Sequence, residues 1–124
     1  MSVLALLPHR MAVAQLSADA AIPEWASGPF VSITRTAAEL SIVCTEKAVP
    51  DGIRCERGWR IFEVAGPLDF SLTGVLSAVA APLADAGVSI FAMATFDTDY
   101  VMVKDVDLER AVDALRAAGH IVQE

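Results

Sequence analysis

Residues 70–104 read FSLTGVLSAVAAPLADAGVSIFAMATFDTDYVMVK, and the fold turns on two periodicities inside them. Leu72, Val75, Leu76, Val79 and Leu83 recur at the spacing of one face of an amphipathic helix. Ser71 suits the N-cap of that helix and Gly87 the position just past its end. Pro82 lies inside the pattern and predicts a kinked last turn. Val88–Thr95 and Asp99–Lys104 then follow as two apolar, β-rich runs, which predicts a strand pair closed near Asp97-Thr98.

Working outward, Leu108, Ala111, Val112 and Leu115 mark a second helix, with Asp107 as cap and Gly119 as stop. His120–Gln123 reads as a last short strand, and Trp59–Ala65 as a strand ended by Gly66-Pro67. Residues 59–124 thus spell strand–helix–strand–strand–helix–strand, a ferredoxin-like unit. A unit of that size buries little area on its own and calls for a partner, which the first half supplies. There, Val3–Leu7 and Met11–Leu16 predict a hairpin turning at Pro8-His9-Arg10. Phe30–Thr34 and Leu40–Thr45 read as a second strand pair. Pro50-Asp51-Gly52 signals a turn, Ile53–Glu56 a short strand, and Arg57-Gly58 a further turn. Neither residues 17–29 nor 46–52 can supply three helical turns. A shift of 60 positions lays ITRTAAELSIVC (33–44) on MATFDTDYVMVK (93–104) without a gap. The expected fold is α+β: two ferredoxin-like βαββαβ units with antiparallel sheets and helices on one face. The N-terminal unit, residues 1–58, is degenerate; residues 59–124 form the C-terminal unit.

Composition narrows function. The chain has 124 residues, is 55% hydrophobic and carries a net charge of −7, so a folded core is expected. Such a charge disfavours phosphate backbones and anionic bilayers, so neither nucleic acid nor membrane is an expected partner. The apolar start lacks a basic n-region and is broken by Pro8-His9-Arg10, unlike a signal peptide, so a cytoplasmic protein is expected. Cys44 and Cys55 form no CxxC, and His9 and His120 stand apart from them, so two reduced thiols and no metal site are expected.

Asp97-Thr98-Asp99 admits four readings. As a metal motif it lacks a phosphate loop or further ligands nearby. As a catalytic pair it lacks a nucleophile or base beside it, and Ser71 and Ser77 have no histidine at a recognisable spacing. As a turn it explains Asp97 and Thr98 better than Asp99, which opens a strand. As one wall of a pocket it complements GPLDFSLTGV (66–75), where strand passes into helix. The amides near Ser71–Gly74 suit a carboxylate, Gly74 permits close approach, and Asp99 suits an ammonium. Together these are complementary ends for a free amino acid, and Phe70, Val75 and Phe96 favour an apolar or aromatic side chain on it.

The run Leu83-Ala84-Asp85-Ala86-Gly87-Val88-Ser89-Ile90 and the Thr95-Phe96-x-Thr98-Asp99 segment resemble the ACT domain family, and more narrowly its tandem-ACT amino-acid sensors. The resemblance covers residues 60–124 well and 1–58 weakly. It implies a non-catalytic regulatory protein that binds an amino acid at an interface between ACT units, with no cofactor. Carried over, the ligand-binding residues are Gly66, Leu68, Phe70, Ser71, Gly74 and Val75 on one side and Thr95, Phe96, Thr98 and Asp99 on the other. Val31, Ser32 and Ile33 are expected to add a strand edge. Exposed sheet edges imply a homodimer. The rival expectation is a ligand-free module that uses the same fold for protein interaction.

Overall fold

The computed structural model of the chain describes residues 1–69 and 71–124. Among the described residues seven strands and two α-helices follow one another: β1 (Val3–Leu16), β2 (Ser32–Arg35), β3 (Leu40–Thr45), β4 (Cys55–Val64), α1 (Val75–Asp85), β5 (Ile90–Ala94), β6 (Asp99–Lys104), α2 (Leu108–Ala117) and β7 (Ile121–Gln123). They divide into two compact units, His9–Trp59 and Met1–Pro8 with Arg60–Glu124. The first eight residues therefore belong with the C-terminal unit, across the 58/59 boundary drawn from sequence.

In the C-terminal unit the strand order is β1-β4-β6-β5, with β7 on the far side of β1. Val3–Ala5 pair in parallel with β7, and β5 pairs antiparallel with β6 from Ile90↔Val103 to Ala94↔Asp99. Alternate strand positions Phe62, Val64, Val101 and Val103 share one buried cluster with Val79 and Leu83 of α1 and Ala111, Val112 and Leu115 of α2. Both helices thus cover the same face, as the two-residue period of strands and the 3.6-residue period of helices require. Each helix ends in a paired closing motif. Val88 and Gly87 donate to Leu83 and Ala84; His120 and Gly119 donate to Leu115 and Arg116. Gly87 and Gly119 hold the left-handed φ this needs.

The His9–Trp59 unit has the order β2-β3-β1-β4 and no α-helix among its elements. Its buried cluster of Ala12, Ala14, Leu40, Ile42, Cys44 and Val49 is covered by loop residues, including Trp25, Ala26 and Val31. Loop thus does the work of helix. Both thiols are free, and burial pushes the Cys44 thiol up.

Four details differ from the sequence expectation. Residues Val3–Leu16 form one strand, with no hairpin at Pro8. Pro8 falls between the ladder of Val3–Ala5 and that of Met11–Leu16, so its missing N–H is lost to neither. Cys55–Val64 is likewise one strand through Arg57-Gly58. There Gly58, at φ 81, absorbs the irregularity, and its N–H donates to Glu46. The first long helix begins at Val75, three residues later than the apolar spacing suggests, and its N-cap is Gly74. Ser71 instead donates from both its N–H and its hydroxyl to Asp69.

The fourth difference is the repeat register. Thr36 N–H donates to the Glu39 carbonyl as Thr95 N–H donates to that of Thr98. A 3₁₀ turn follows each second strand, Glu46–Ala48 and Asp105–Asp107. The offset between these matched parts is 59, one less than the ungapped sequence match. The pairing Ile33↔Ile42 then falls on Ala92↔Val101. In the opening strands the offset is 50, because the ion pair Arg10–Glu46 falls on Arg60–Asp105.

Pro82 does not stop α1, but it removes the N–H that would reach the Ala78 carbonyl. His120 replaces it. Its Nε2 lies 2.8 Å from the Ala78 carbonyl, and its Nδ1 accepts the Ser2 N–H at 3.0 Å. The second bond assigns the proton to Nε2. His120→Ala strands both backbone groups and should cost about 2–4 kcal/mol in urea denaturation. In a Pro82→Ala background the new amide reaches Ala78, so the same substitution should cost about 1 kcal/mol less. Equal costs in the two backgrounds would show that Ala78 is not the shared partner.

Candidate functional site

The site lies in the C-terminal unit, where β4 runs out and α1 begins. Val64 ends β4 with its carbonyl accepting the buried Thr98 hydroxyl at 2.6 Å. Four residues on, Leu68 N–H donates to the Asp97 carbonyl at 2.6 Å. These two bonds stitch the loop after β4 to the turn between β5 and β6. Gly66 makes the stitch possible: a Cβ there would sit 3.1 Å from the Asp97 carbonyl oxygen and from the Thr98 Cβ. The close approach expected at Gly74 therefore belongs to Gly66. Gly74 has nothing within 4 Å of its Cβ position and is needed for its φ of 76 at the helix start.

The turn is built from its two threonines. Thr95 N–H and hydroxyl donate to the Thr98 carbonyl at 2.8 and 3.1 Å, and Thr98 N–H donates to the Thr95 hydroxyl at 3.3 Å. With both ends tied, the turn projects Phe96 outward, 80% exposed. Between loop and turn lies an open cleft of about 200 Å³, below the roughly 300–1,000 Å³ of drug-sized pockets and suited to a small molecule. Leu68, Asp69, Leu72 and Val75 line one side, and residues 94–99 the other.

Six of the residues expected from sequence line this cleft together: Leu68, Val75, Thr95, Phe96, Thr98 and Asp99. Gly66 stands behind it. Ser71 is exposed, bound to Asp69, and Gly74 starts the helix; neither lines the cleft. The expectation for Phe70 lies outside the described residues. Val31, Ser32 and Ile33 belong to the other unit. There Val31 packs on that unit's core, and Ser32 and Ile33 pair with Val43 and Ile42.

Sequence reasoning passed over Asp69, Leu72, Ala94 and Asp97. Asp69 had a local signal, the Asp-x-Ser spacing of a side chain that folds onto its own backbone. The backbone and then the hydroxyl of Ser71 donate to it and hold its carboxyl below the usual range. Asp97 was assigned to the turn alone; it makes the turn and also lines the cleft. Three aspartates thus line the space, with no basic residue among the described lining residues. They stay apart: among the described residues no three His, Cys, Asp or Glu side chains group as metal ligands. Nor is any helix of the described residues long and apolar enough to cross a membrane. The start of α1 adds amides with no side-chain cap, since Gly74 has none to offer.

Beside the cleft, Tyr100 donates its hydroxyl to Glu63 at 2.6 Å. That bond, with burial and the charges of Glu63 and Asp97, pushes the phenol up to about 12. The folded chain holds this proton more tightly than the unfolded chain does. Its contribution is therefore whole below pH ~10 and is lost as pH rises towards 12. Tyr100 is the one tyrosine, so absorbance near 295 nm reports it directly. Glu63→Ala should lower the midpoint towards the ordinary phenol value, and an unchanged midpoint would discard the Glu63 bond as its cause.

The family description "ACT domain" matches residues 54–117, and a second family description, of an N-terminal domain, matches residues 9–52. The chain belongs to the ACT domain family. It is 29% identical over 102 residues to the "Cytosolic arginine sensor for mTORC1 subunit 1" of Rattus norvegicus. That match covers 76% of this chain and 31% of the relative, so the chain spans about a third of the sensor's length. A crystal structure of an Agobacterium tumefaciens protein is 44% identical and superposes with a TM-score of 0.93, covering 98% of this chain and 91% of that one. The ligand-free regulatory subunit of Thermus thermophilus aspartate kinase shares the fold at 14% identity, with a TM-score of 0.63, covering 94% and 97% of the two chains.

Proposed function

We propose that the chain is a non-catalytic regulatory module of the cytoplasm that binds a free amino acid in the Leu68–Asp99 cleft. The single observation that carries this reading is the lining: three aspartates, no base, and uncapped helix amides at one end. Asp99 takes the ligand's ammonium, and the amides at the start of α1 take its carboxylate. Asp69 and Asp97 remain for a second positive group, so a basic amino acid fits better than the apolar one favoured from sequence. The relative's printed role as an arginine sensor agrees with that preference. Phe70, Ser71 and Gly74 remain candidates on the loop side, and Val31, Ser32 and Ile33 as an edge contributed by an N-terminal unit.

Dimerisation belongs to the same reading. β5 stands last in its strand order, and Ile90–Ala94 (IFAMA) carries no charge or proline to protect it. A second copy pairing there would make this a homodimer, and a monomer in sedimentation at working concentration would remove that element. The rival, a ligand-free assembly module, draws on the same unprotected edge.

Thermal shift against the twenty amino acids decides between them. At about 100 times its Kd a bound ligand stabilises the fold by about 2.7 kcal/mol. The expected result is a shift with a basic amino acid that Asp99→Ala abolishes. No shift with any amino acid favours assembly alone, and a shift that survives Asp99→Ala refutes the role given to that residue.

A further inference from the structure

The two units share one plan, and the cleft of the C-terminal unit has a counterpart position in the His9–Trp59 unit. At the offset of 59, Ala94, which lines the cleft, falls on Arg35. At the offset of 50 in the opening strand, Leu68, on the opposite wall, falls on Ala18, and Asp69 on Asp19.

Where the C-terminal unit is open between these two walls, the N-terminal unit is bridged. The Arg35 guanidinium reaches from the end of β2 to the loop after β1, donating through Nη1 to the Ala18 carbonyl and through Nη2 to the Ala20 carbonyl, the latter at 2.7 Å. The fork of a guanidinium matches two carbonyls in a way that an ammonium does not. The loop it holds carries Trp25, Ala26 and Val31, which cover the core in place of a helix.

We infer that the N-terminal unit retains a cation site for a guanidinium, formed by the Ala18 and Ala20 carbonyls, and that Arg35 of the same chain is its permanent occupant. The degenerate unit is thus a self-filled version of the plan, in which a tethered guanidinium bridges the two walls and fastens the covering loop. The inference rests on contacts within His9–Trp59, so it stands or falls independently of whether the C-terminal cleft takes an amino acid.

Chemical rescue tests it. In Arg35→Ala, hydrogen exchange across residues 17–31 should speed up about tenfold or more, the loss expected for charge-assisted bonds to two carbonyls. Millimolar methylguanidinium should restore protection saturably, and methylammonium at the same concentration should not. If Arg35→Ala does not fold, Arg35→Gln keeps most of the stem and receives the same two additives. Unchanged exchange in the variant would overturn the inference, as would no restoration by methylguanidinium or equal restoration by both cations.

Discussion

A strand that ends inside a folded unit leaves a carbonyl that must be paired, and in the C-terminal unit that carbonyl belongs to Val64. Thr98 pairs it through a buried hydroxyl, and the reciprocal bond from Leu68 to Asp97 closes the junction. From this junction follow the close pass at Gly66, the rigid Thr95–Thr98 turn and the space between loop and turn. Remove the Thr98 hydroxyl and a buried acceptor goes unpaired at the back of the cleft. The candidate site is thus a by-product of satisfying backbone groups, and three aspartates line it.

The same requirement recurs at α1. Pro82 leaves the Ala78 carbonyl without its helical donor, and His120 supplies one while accepting from Ser2. A single imidazole therefore joins the first strand, the first helix and the last strand of that unit. In the N-terminal unit, where helices are missing, Arg35 plays the joining part with two backbone carbonyls. Two copies of one topology have met the same demand with different side chains, which is why their sequences diverge while their strand orders still correspond.

Much of this was legible in the chain. The strand character of 99–104 and the glycine stops at Gly87 and Gly119 each carry a local signal and appear where expected, while the helix spacing of residues 72–83 finds its helix only from Val75 on. So does the absence of helix before Phe30. The misreadings cluster at proline and glycine. Pro8 and Gly58 look like turns because those residues usually punctuate, yet long-range pairing carries β1 and β4 straight through them. The site was half legible: the threonines, Phe96 and Asp99 could be singled out, and Asp69 carries the Asp-x-Ser mark of a local turn, whereas Leu72 and Ala94 have no local mark of a wall.

Sequence alone determined what depends on short spacing: the two helical segments, the ferredoxin-like order of residues 59–124 and the acidic character of the chain. Only tertiary structure decided the repeat's true offset, the assignment of the first eight residues to the C-terminal unit, and the convergence of Asp69, Asp97 and Asp99 on one cleft. The physical reason is range. Periodicity and caps act over a few residues, whereas register and cleft geometry are set by hydrogen bonds between residues tens of positions apart, such as Thr98 with Val64 and His120 with Ala78.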